Sequence, residues 1–414
     1  MKRSFSRRNF LGVVGIAPLI SALAGKKINS IQETFNSSAV NENNIAEIIE
    51  TKTICIEPGR FPLSCITINK DGHPVQASNG IEPNRYLGWP TVVLTKNNEL
   101  IVVYSGDRDS HVCPYGKTQL ISSSDNGKTW SQPRTITNTP LDDRDAGIIQ
   151  TRKGTLVVSW FTSLAFESPT WKGAYNKYAR IGEKIGDKTK KEWLGNWMRR
   201  STDMGKTWLQ PTPTVGTAPH GPVNLKNGHL IYVGTGQYKE LGPVVVEKSI
   251  DDGITWKVIG QIPLPPLAKS IAEPHVIELP SGKLVAMIRN ESKEFHHGFL
   301  LQSESFDGGK TWSVAKETGI WGYPPHLALL NNNVLLVTYG RRKAPFSQRA
   351  CLSYDEGKTW DLDNEIILAD AFNGDMGYPA SVQLKDGSIL SVYYQSPGHG
   401  QPTNILSTHW RLKK

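Results

Sequence analysis

Ser123-Ser124-Asp125-Asn126-Gly127-Lys128-Thr129-Trp130 is one of five copies of the pattern Ser-x-Asp-x-Gly-x-Thr-Trp. The others begin at Ser201, Ser249, Ser305 and Ser353. Asp and Ser side chains cap backbone N–H groups in a turn. Gly supplies a positive φ, and the closing Trp is a large apolar plug for a neighbouring layer. Each copy follows a short run such as Thr118-Gln119-Leu120-Ile121-Ser122, which reads as a strand. The motif is therefore the turn of a β-hairpin, and it recurs because the fold recurs.

Between these turns lies a second repeat: apolar strand, polar Gly/Asn turn, apolar strand. Its six copies span residues 89–104, 145–160, 219–233, 273–288, 324–339 and 378–393. In the first five an Asp-containing turn follows, so one unit is two hairpins. Six such units predict an all-β fold, a six-bladed β-propeller of four-stranded antiparallel blades. The sixth unit lacks the Asp motif, and residues 404–412 remain for its third strand. A short run at 53–56 is expected to supply the fourth and close the ring.

The chain has 414 residues, ample for a large core, and its 38 Gly and 26 Pro suit many short strands. The formal charge of +9 falls to about +5 without Lys2, Arg3, Arg7 and Arg8. No basic stripe is interleaved with aromatics, so nucleic acid is not an expected partner. Residues 1–24 read as a twin-arginine export signal. Ser6-Arg7-Arg8-Asn9-Phe10-Leu11 precedes an apolar run and an Ala22-Leu23-Ala24 cleavage site. The run is short for a membrane span, so a periplasmic or secreted protein with no stable span after signal removal is expected. Residues 25–50 read as a polar linker, and 51–414 as the propeller. Cys55 and Cys65 are close enough for a local disulfide, with buried free thiols the alternative; no cysteine spacing suggests a metal or cofactor.

The motif aspartates Asp203 and Asp251 are 48 residues apart, as are Asp307 and Asp355, but Asp125 and Asp203 are 78 apart. The extra residues, 162–198, form an insertion at the pole opposite the Asp-containing turns. It is either a surface loop or a lid.

Propeller blades present the start of their innermost strand to a central funnel. Aligning the six units on their turns puts Trp89, Asp145, Pro219, Glu273, Pro324 and Tyr378 there. His275 and His326 come two positions on, and His220 is adjacent. Acids, a phenol and imidazoles converging from different blades suggest a site.

Glu273-Pro-His-Val-Ile-Glu-Leu with Met287-Ile288-Arg289, and Gly377-Tyr378-Pro-Ala-Ser-Val-Gln-Leu, together with the Asp-containing turns, resemble the sialidase (neuraminidase) superfamily. The resemblance covers most of residues 53–412. It implies that Tyr378 is a nucleophile and Glu273 its general base. A phenol with pKa about 10 needs such a partner near neutrality. It also implies three arginines gripping a substrate carboxylate, a task suited to a planar bidentate guanidinium. Arg289 matches one, and Arg341 or Arg342 a second. The family's first arginine, the start of an Arg-Ile-Pro, aligns with Gly88 of Gly88-Trp89-Pro90, which leaves Arg85 or Arg108 as the third. The family's acid catalyst, an Asp, falls in the loop holding Asp109 and His111; either serves as candidate. Asp145, His220, His275 and His326 are candidate substrate-binding residues, with a metal site the minor alternative for the histidines.

The resemblance thus implies an exported exo-glycosidase hydrolysing a bond of an acidic sugar, sialic acid or related, with retention. A lyase acting on a uronate polymer and a non-catalytic carbohydrate-binding propeller are the alternatives.

Overall fold

The computed structural model describes residues 45–57, 66–68, 74–76, 86–168, 178, 181–398 and 401–413. The export signal, most of the linker, Cys65 and Arg85 lie outside them. Six four-stranded antiparallel sheets are arranged in a ring. In chain order the innermost strands are Tyr86–Leu94 (blade I), Asp142–Gln150 (II), Val223–Asn224 (III), Ile271–Glu278 (IV), His326–Leu329 (V) and Met376–Gln383 (VI). A separate two-stranded hairpin joins Ile66–Ile68 to Pro74–Gln76. Among the described residues no helix is long and apolar enough to cross a membrane.

Blade VI closes the ring with strands from both ends of the chain. Ala46–Cys55 pairs antiparallel with Asn404–Leu412, aligning Ala46 with Leu412 and Cys55 with Ile405. The closing strand therefore starts inside the stretch read as linker, and the linker's end at residue 50 is corrected. The cause is physical: an outermost strand is solvated along most of its length, and Glu47–Thr51 is exposed residue after residue. It shows no apolar alternation to read. Its inner end is anchored by Glu57, which accepts the Asp107 N–H at 2.8 Å. Cys55 is a buried free thiol facing the Tyr104 hydroxyl.

The Asp-containing turns are wired alike. In the first, Asp125 accepts from the Ser123 hydroxyl (2.7 Å) and from the Thr129 N–H (2.9 Å) and hydroxyl (2.6 Å), and the Gly127 N–H donates to Ser123. The Thr129 bonds hold the Asp125 carboxyl below its usual range. Each closing Trp packs toward the preceding blade: Trp130 on the blade VI/I core, Trp208 on I/II, Trp256 on II/III, Trp312 on III/IV and Trp360 on IV/V. Blade VI has no such turn. Trp410, on its third strand, fills the V/VI gap instead, fully buried and donating to Ser391 at 2.9 Å.

The insertion is packed in its described part. Phe166, Tyr178, Ile181 and Ile185 form a satellite core with Val112, Cys113, Tyr115 and Leu141. A short helix, Asp187–Trp193, and a Lys190–Glu167 ion pair of 2.7 Å complete it. It braces the loop that carries His111.

Trp410→Ala is expected to destabilise the protein by about 3–5 kcal/mol, the usual cost of an emptied aromatic site. Chemical denaturation of the variant measures this; a loss under about 1 kcal/mol would remove Trp410 as the substitute plug.

Candidate active site

Four of the six innermost strands carry the same irregularity at the same level. In blade I the ladder pairs Gly88 with Ser105 and then Thr91 with Val103, so Trp89 and Pro90 face one partner residue. The identical two-against-one bulge occurs at Asp145-Ala146, Glu273-Pro274 and Tyr378-Pro379. The first residue of each bulge is left-handed: φ is 54° at Trp89, 51° at Asp145, 49° at Glu273 and 53° at Tyr378. Non-glycine residues hold such a φ at a cost of roughly 1–3 kcal/mol, and bulges re-aim side chains. Here they place four large or charged side chains together at one end of the axis.

The Tyr378 hydroxyl donates to Glu273 Oε1. Glu273 Oε2 accepts from Arg289 Nη1 at 2.6 Å, and Arg289 Nη2 donates to Glu291 at 2.8 Å. Tyr378 is 3 % exposed. Burial first, then the nearby Glu273 and Asp145 carboxylates, push its pKa well up, while Arg289 and Arg342 oppose them. At rest the phenol keeps its proton and Glu273 is placed to receive it.

Arg342 reaches in from the end of blade V. Its Nε donates to the Met376 carbonyl (2.8 Å) and its Nη2 to the Tyr394 hydroxyl (3.1 Å). Its guanidinium lies 5.4 Å from the Tyr378 ring. The Arg144 guanidinium lies over the Trp89 ring, 4.1 Å from its centroid, and donates to the His111 carbonyl at 3.0 Å.

His111 sits in a network with Asp375. The Tyr86 hydroxyl donates its one proton to Asp375 Oδ1 (2.8 Å), so its 2.9 Å contact with His111 Nδ1 requires the proton on Nδ1. His111 Nε2 then holds the lone pair. Burial, with Arg144 and Arg342 nearby and Asp375 in opposition, lowers the His111 pKa. Asp375 also accepts from Tyr394 (3.2 Å). Burial would raise it, but His111, Tyr86 and Arg342 overcome that and bring it down to about 2.

A family model described as BNR repeat-like domain matches residues 180–391. The chain belongs to the sialidase/BNR-repeat superfamily. It is 25 % identical over 232 residues to a sialidase of Paraclostridium sordellii, a match covering 51 % of this chain and 52 % of that one. The matched region thus spans about half the length of this curated relative. Among solved structures, a protein of unknown function from Dyadobacter fermentans superimposes with TM-score 0.66 at 23 % identity, covering 89 % of this chain and 99 % of that one. The NanB sialidase of Streptococcus pneumoniae gives 0.57 at 15 % identity, covering 86 % and 71 %. These likenesses show the fold.

In this BNR-repeat propeller the funnel brings together Glu273, Tyr378, Arg289, Asp145 and His111. Other expected residues fall elsewhere. Arg341 ends the blade V ladder opposite Ser347; it is Arg342, one residue on, that meets Tyr378. Arg108 is fully buried and clamped by Asp142, with Nη2 to Oδ2 at 3.0 Å, and donates to Ser105 and the His111 carbonyl. It is a structural ion pair, not a substrate grip. Asp109 acts electrostatically on Cys113 and Tyr178 beneath the insertion.

His220, His275 and His326 line the axis deeper in, and all three are buried. His275 Nδ1 accepts the Leu327 N–H of blade V (2.9 Å) and His326 Nδ1 the Ser381 N–H of blade VI (3.3 Å). The two rings stack at 4.7 Å. Thr91 gives its proton to the Pro219 carbonyl, so His220 Nδ1 donates to Thr91 across 3.1 Å. These imidazoles bridge blades; the expected substrate-binding role is corrected. With Nδ1 as acceptor, neutral His275 and His326 carry their protons on Nε2 and offer no lone pair to a metal.

Arg144, Asp375, Tyr86 and Tyr394 were not singled out from sequence. Arg144 directly precedes a ring position and Asp375 lies three residues before Tyr378, but counting one residue per blade passes over both.

Burial lowers His326 to about 3, and burial plus mutual repulsion lower His220 and His275 as well. Since the unfolded values are near 6.5, the unfolded chain binds more protons below that pH. Stability is expected to fall as pH drops from about 6.5 toward 3. Denaturant unfolding at a series of pH values checks this, and His326→Asn should flatten the profile.

Proposed function

We propose that this protein is an exported glycoside hydrolase that cleaves the bond of an acidic sugar, sialic acid or a related ulosonic acid, with retention. The observation that carries the reading is the Tyr378–Glu273 hydrogen bond braced by Arg289, with both partners on strained bulges of different blades. Tyr378 attacks the anomeric carbon as Glu273 takes its proton. A neutral nucleophile is not repelled by a substrate carboxylate, and Tyr-nucleophile sialidases are a known exception to the two-carboxylate scheme. Arg289, Arg342 and Arg144 hold that carboxylate. Membership of the superfamily and the Paraclostridium sordellii sialidase relative support the choice of substrate class. The twin-arginine pattern Arg7-Arg8 supports export.

One observation favours a second reading. His111 holds its lone pair on Nε2 and a depressed pKa, the state of a general base. A base beside arginines suits abstraction of the proton next to a uronate carboxylate, as in a polysaccharide lyase.

Assay of sialosides, other ulosonic acid glycosides and uronate polymers separates the readings. Hydrolysis yields a saturated sugar; lysis yields a conjugated double bond visible in ultraviolet absorbance. Tyr378→Phe is expected to lower kcat about 10³-fold or more with substrate binding retained; an undiminished variant removes Tyr378 as nucleophile. Arg342→Ala should raise KM for a carboxylate-bearing substrate by about tenfold or more, whereas Arg341→Ala should leave it unchanged. Carbohydrate binding without turnover in the wild type would favour a non-catalytic propeller.

A further inference from the structure

The funnel contains several carboxylates, and among the described residues hydrogen-bond donors reach all but one. Glu273 is held on one oxygen by Tyr378 and on the other by Arg289. Asp375 accepts from Tyr86, Tyr394 and His111. Asp142 is clamped by Arg108. Asp145 is different. It is 6 % exposed, and its Oδ1 is fully buried with no hydrogen-bond partner among the described residues. The nearest cation, Arg144 Nε, stands 4.0 Å away, beyond hydrogen-bond distance. Yet its backbone is bulged and left-handed in the same way as Glu273 and Tyr378, with φ of 51°. A side chain is held at that level at a cost in strain, without any donor to stabilise a charge on it.

We propose that Asp145 is the proton donor of this site, acting on the leaving oxygen of the glycosidic bond. The inference rests on the glycosidase reading and adds to it the residue that protonates the aglycon. A buried carboxyl without donors is most stable neutral, and a neutral carboxyl has a proton to give. Burial, ahead of the opposing pull of Arg144, raises its pKa to about 7, with Glu273 adding to the rise and Arg108 and Arg289 resisting it. Its phenol neighbour Tyr378 is itself protonated at rest. The loop residues expected in this role are less suited. Asp109 sits in the loop packed against the insertion, within electrostatic reach of Cys113 and Tyr178, and His111 presents a lone pair on Nε2 where a donor is needed.

The step balances as follows. Tyr378 Oη bonds to the anomeric carbon and its proton passes to Glu273. The bond from that carbon to the glycosidic oxygen breaks, its electron pair stays on the oxygen, and the Asp145 proton converts it to the alcohol of the aglycon. In the second half, the Asp145 carboxylate takes a proton from water, whose oxygen bonds to the anomeric carbon. The bond to Tyr378 breaks, its pair returns to Oη, and Glu273 gives the proton back. The net change is one water consumed, with every group restored.

Proton donation matters most when the leaving group is a poor one. Wild type, Asp145→Asn and His111→Gln are to be compared on a nitrophenyl sialoside, whose phenolate leaves unaided, and an alkyl sialoside. Asp145→Asn, nearly isosteric, is expected to lose about 10²–10⁴-fold in kcat on the alkyl substrate. Its first step on the nitrophenyl substrate, followed as the burst of released nitrophenol, should lose less than about tenfold. The wild-type kcat should fall as pH rises through about 7, and that limb should be missing from the variant. Equal losses on both substrates, or a change confined to KM, would assign Asp145 to substrate binding and overturn the proposal. So would a leaving-group dependence that appears in His111→Gln instead. A wild type that turns over neither sialoside would overturn the glycosidase reading along with it. A thermal unfolding midpoint of Asp145→Asn within a few degrees of wild type shows that the comparison is between folded enzymes.

Discussion

The site depends on one backbone constraint: a bulge with a left-handed first residue, repeated in the innermost strands of blades I, II, IV and VI. A regular strand alternates its side chains between the two faces of the blade, toward neighbouring blades. It cannot also point one down the axis. The bulge solves this by rotating one residue out of the alternation. At Trp89, Glu273 and Tyr378 the second bulged residue is proline, which has no N–H to leave unpaired; at Asp145 it is Ala146. The strain is roughly 1–3 kcal/mol per position, so four bulges together are comparable to the whole net stability of many domains. The buried cores between consecutive blades hold them in place.

The guanidiniums are arranged around these bulges so that each serves two of the reactive groups. Tyr378 is influenced by Arg289 and Arg342, Asp145 by Arg144 and Arg289, and His111 by Arg144 and Arg342. Trp89 explains how the third cation reaches its place. It directly follows Gly88, where the superfamily resemblance leads one to expect an arginine, and Arg144 of the next blade lies over its face. Arg108 lies against the same indole at 4.8 Å but is neutralised by Asp142. One indole therefore supports a buried structural cation and a functional one. A positive charge at this point of the funnel is supplied from a different strand.

The propeller was legible in the sequence because its signals are local and repeated: the Asp-containing turns count the blades, and the shorter turns set the register of the innermost strands. That register also located Glu273, Tyr378 and Asp145, since all three occupy the same position in the repeat. What was not legible has a common cause. The outer strand Ala46–Cys55 is solvated and lacks alternation. Arg342 and Arg341 are adjacent, and one residue of register decides which enters the funnel. Arg108 has the spacing of a substrate-binding residue, yet its pairing with Asp142 is a tertiary contact between blades. His220, His275 and His326 have polar rings at axial positions, and only the backbone N–H groups of Leu327 and Ser381 and the side chain of Thr91 show that the rings are already committed.

The division of labour among the acidic groups follows from the supply of donors and the depth of burial together. Asp375 is only half-buried, and the donors around it, one of them an imidazole, keep it ionised. Asp143 receives the N–H and hydroxyl of Thr139 and is still raised to about 8, because it is fully buried beside Asp142 and two neutral donors do not offset that. Asp145 has neither donors nor full removal from cations, and it comes to rest between these extremes. Of the three, it alone is both close to its protonation midpoint near neutrality and aimed at the funnel. Asp375 has no proton to lend, and Asp143 is turned into the blade toward Thr139. A group that must give a proton and take one back in each turnover needs the intermediate condition. The bulge at Asp145 supplies it by bringing the carboxyl to the axis while leaving its oxygen without a partner.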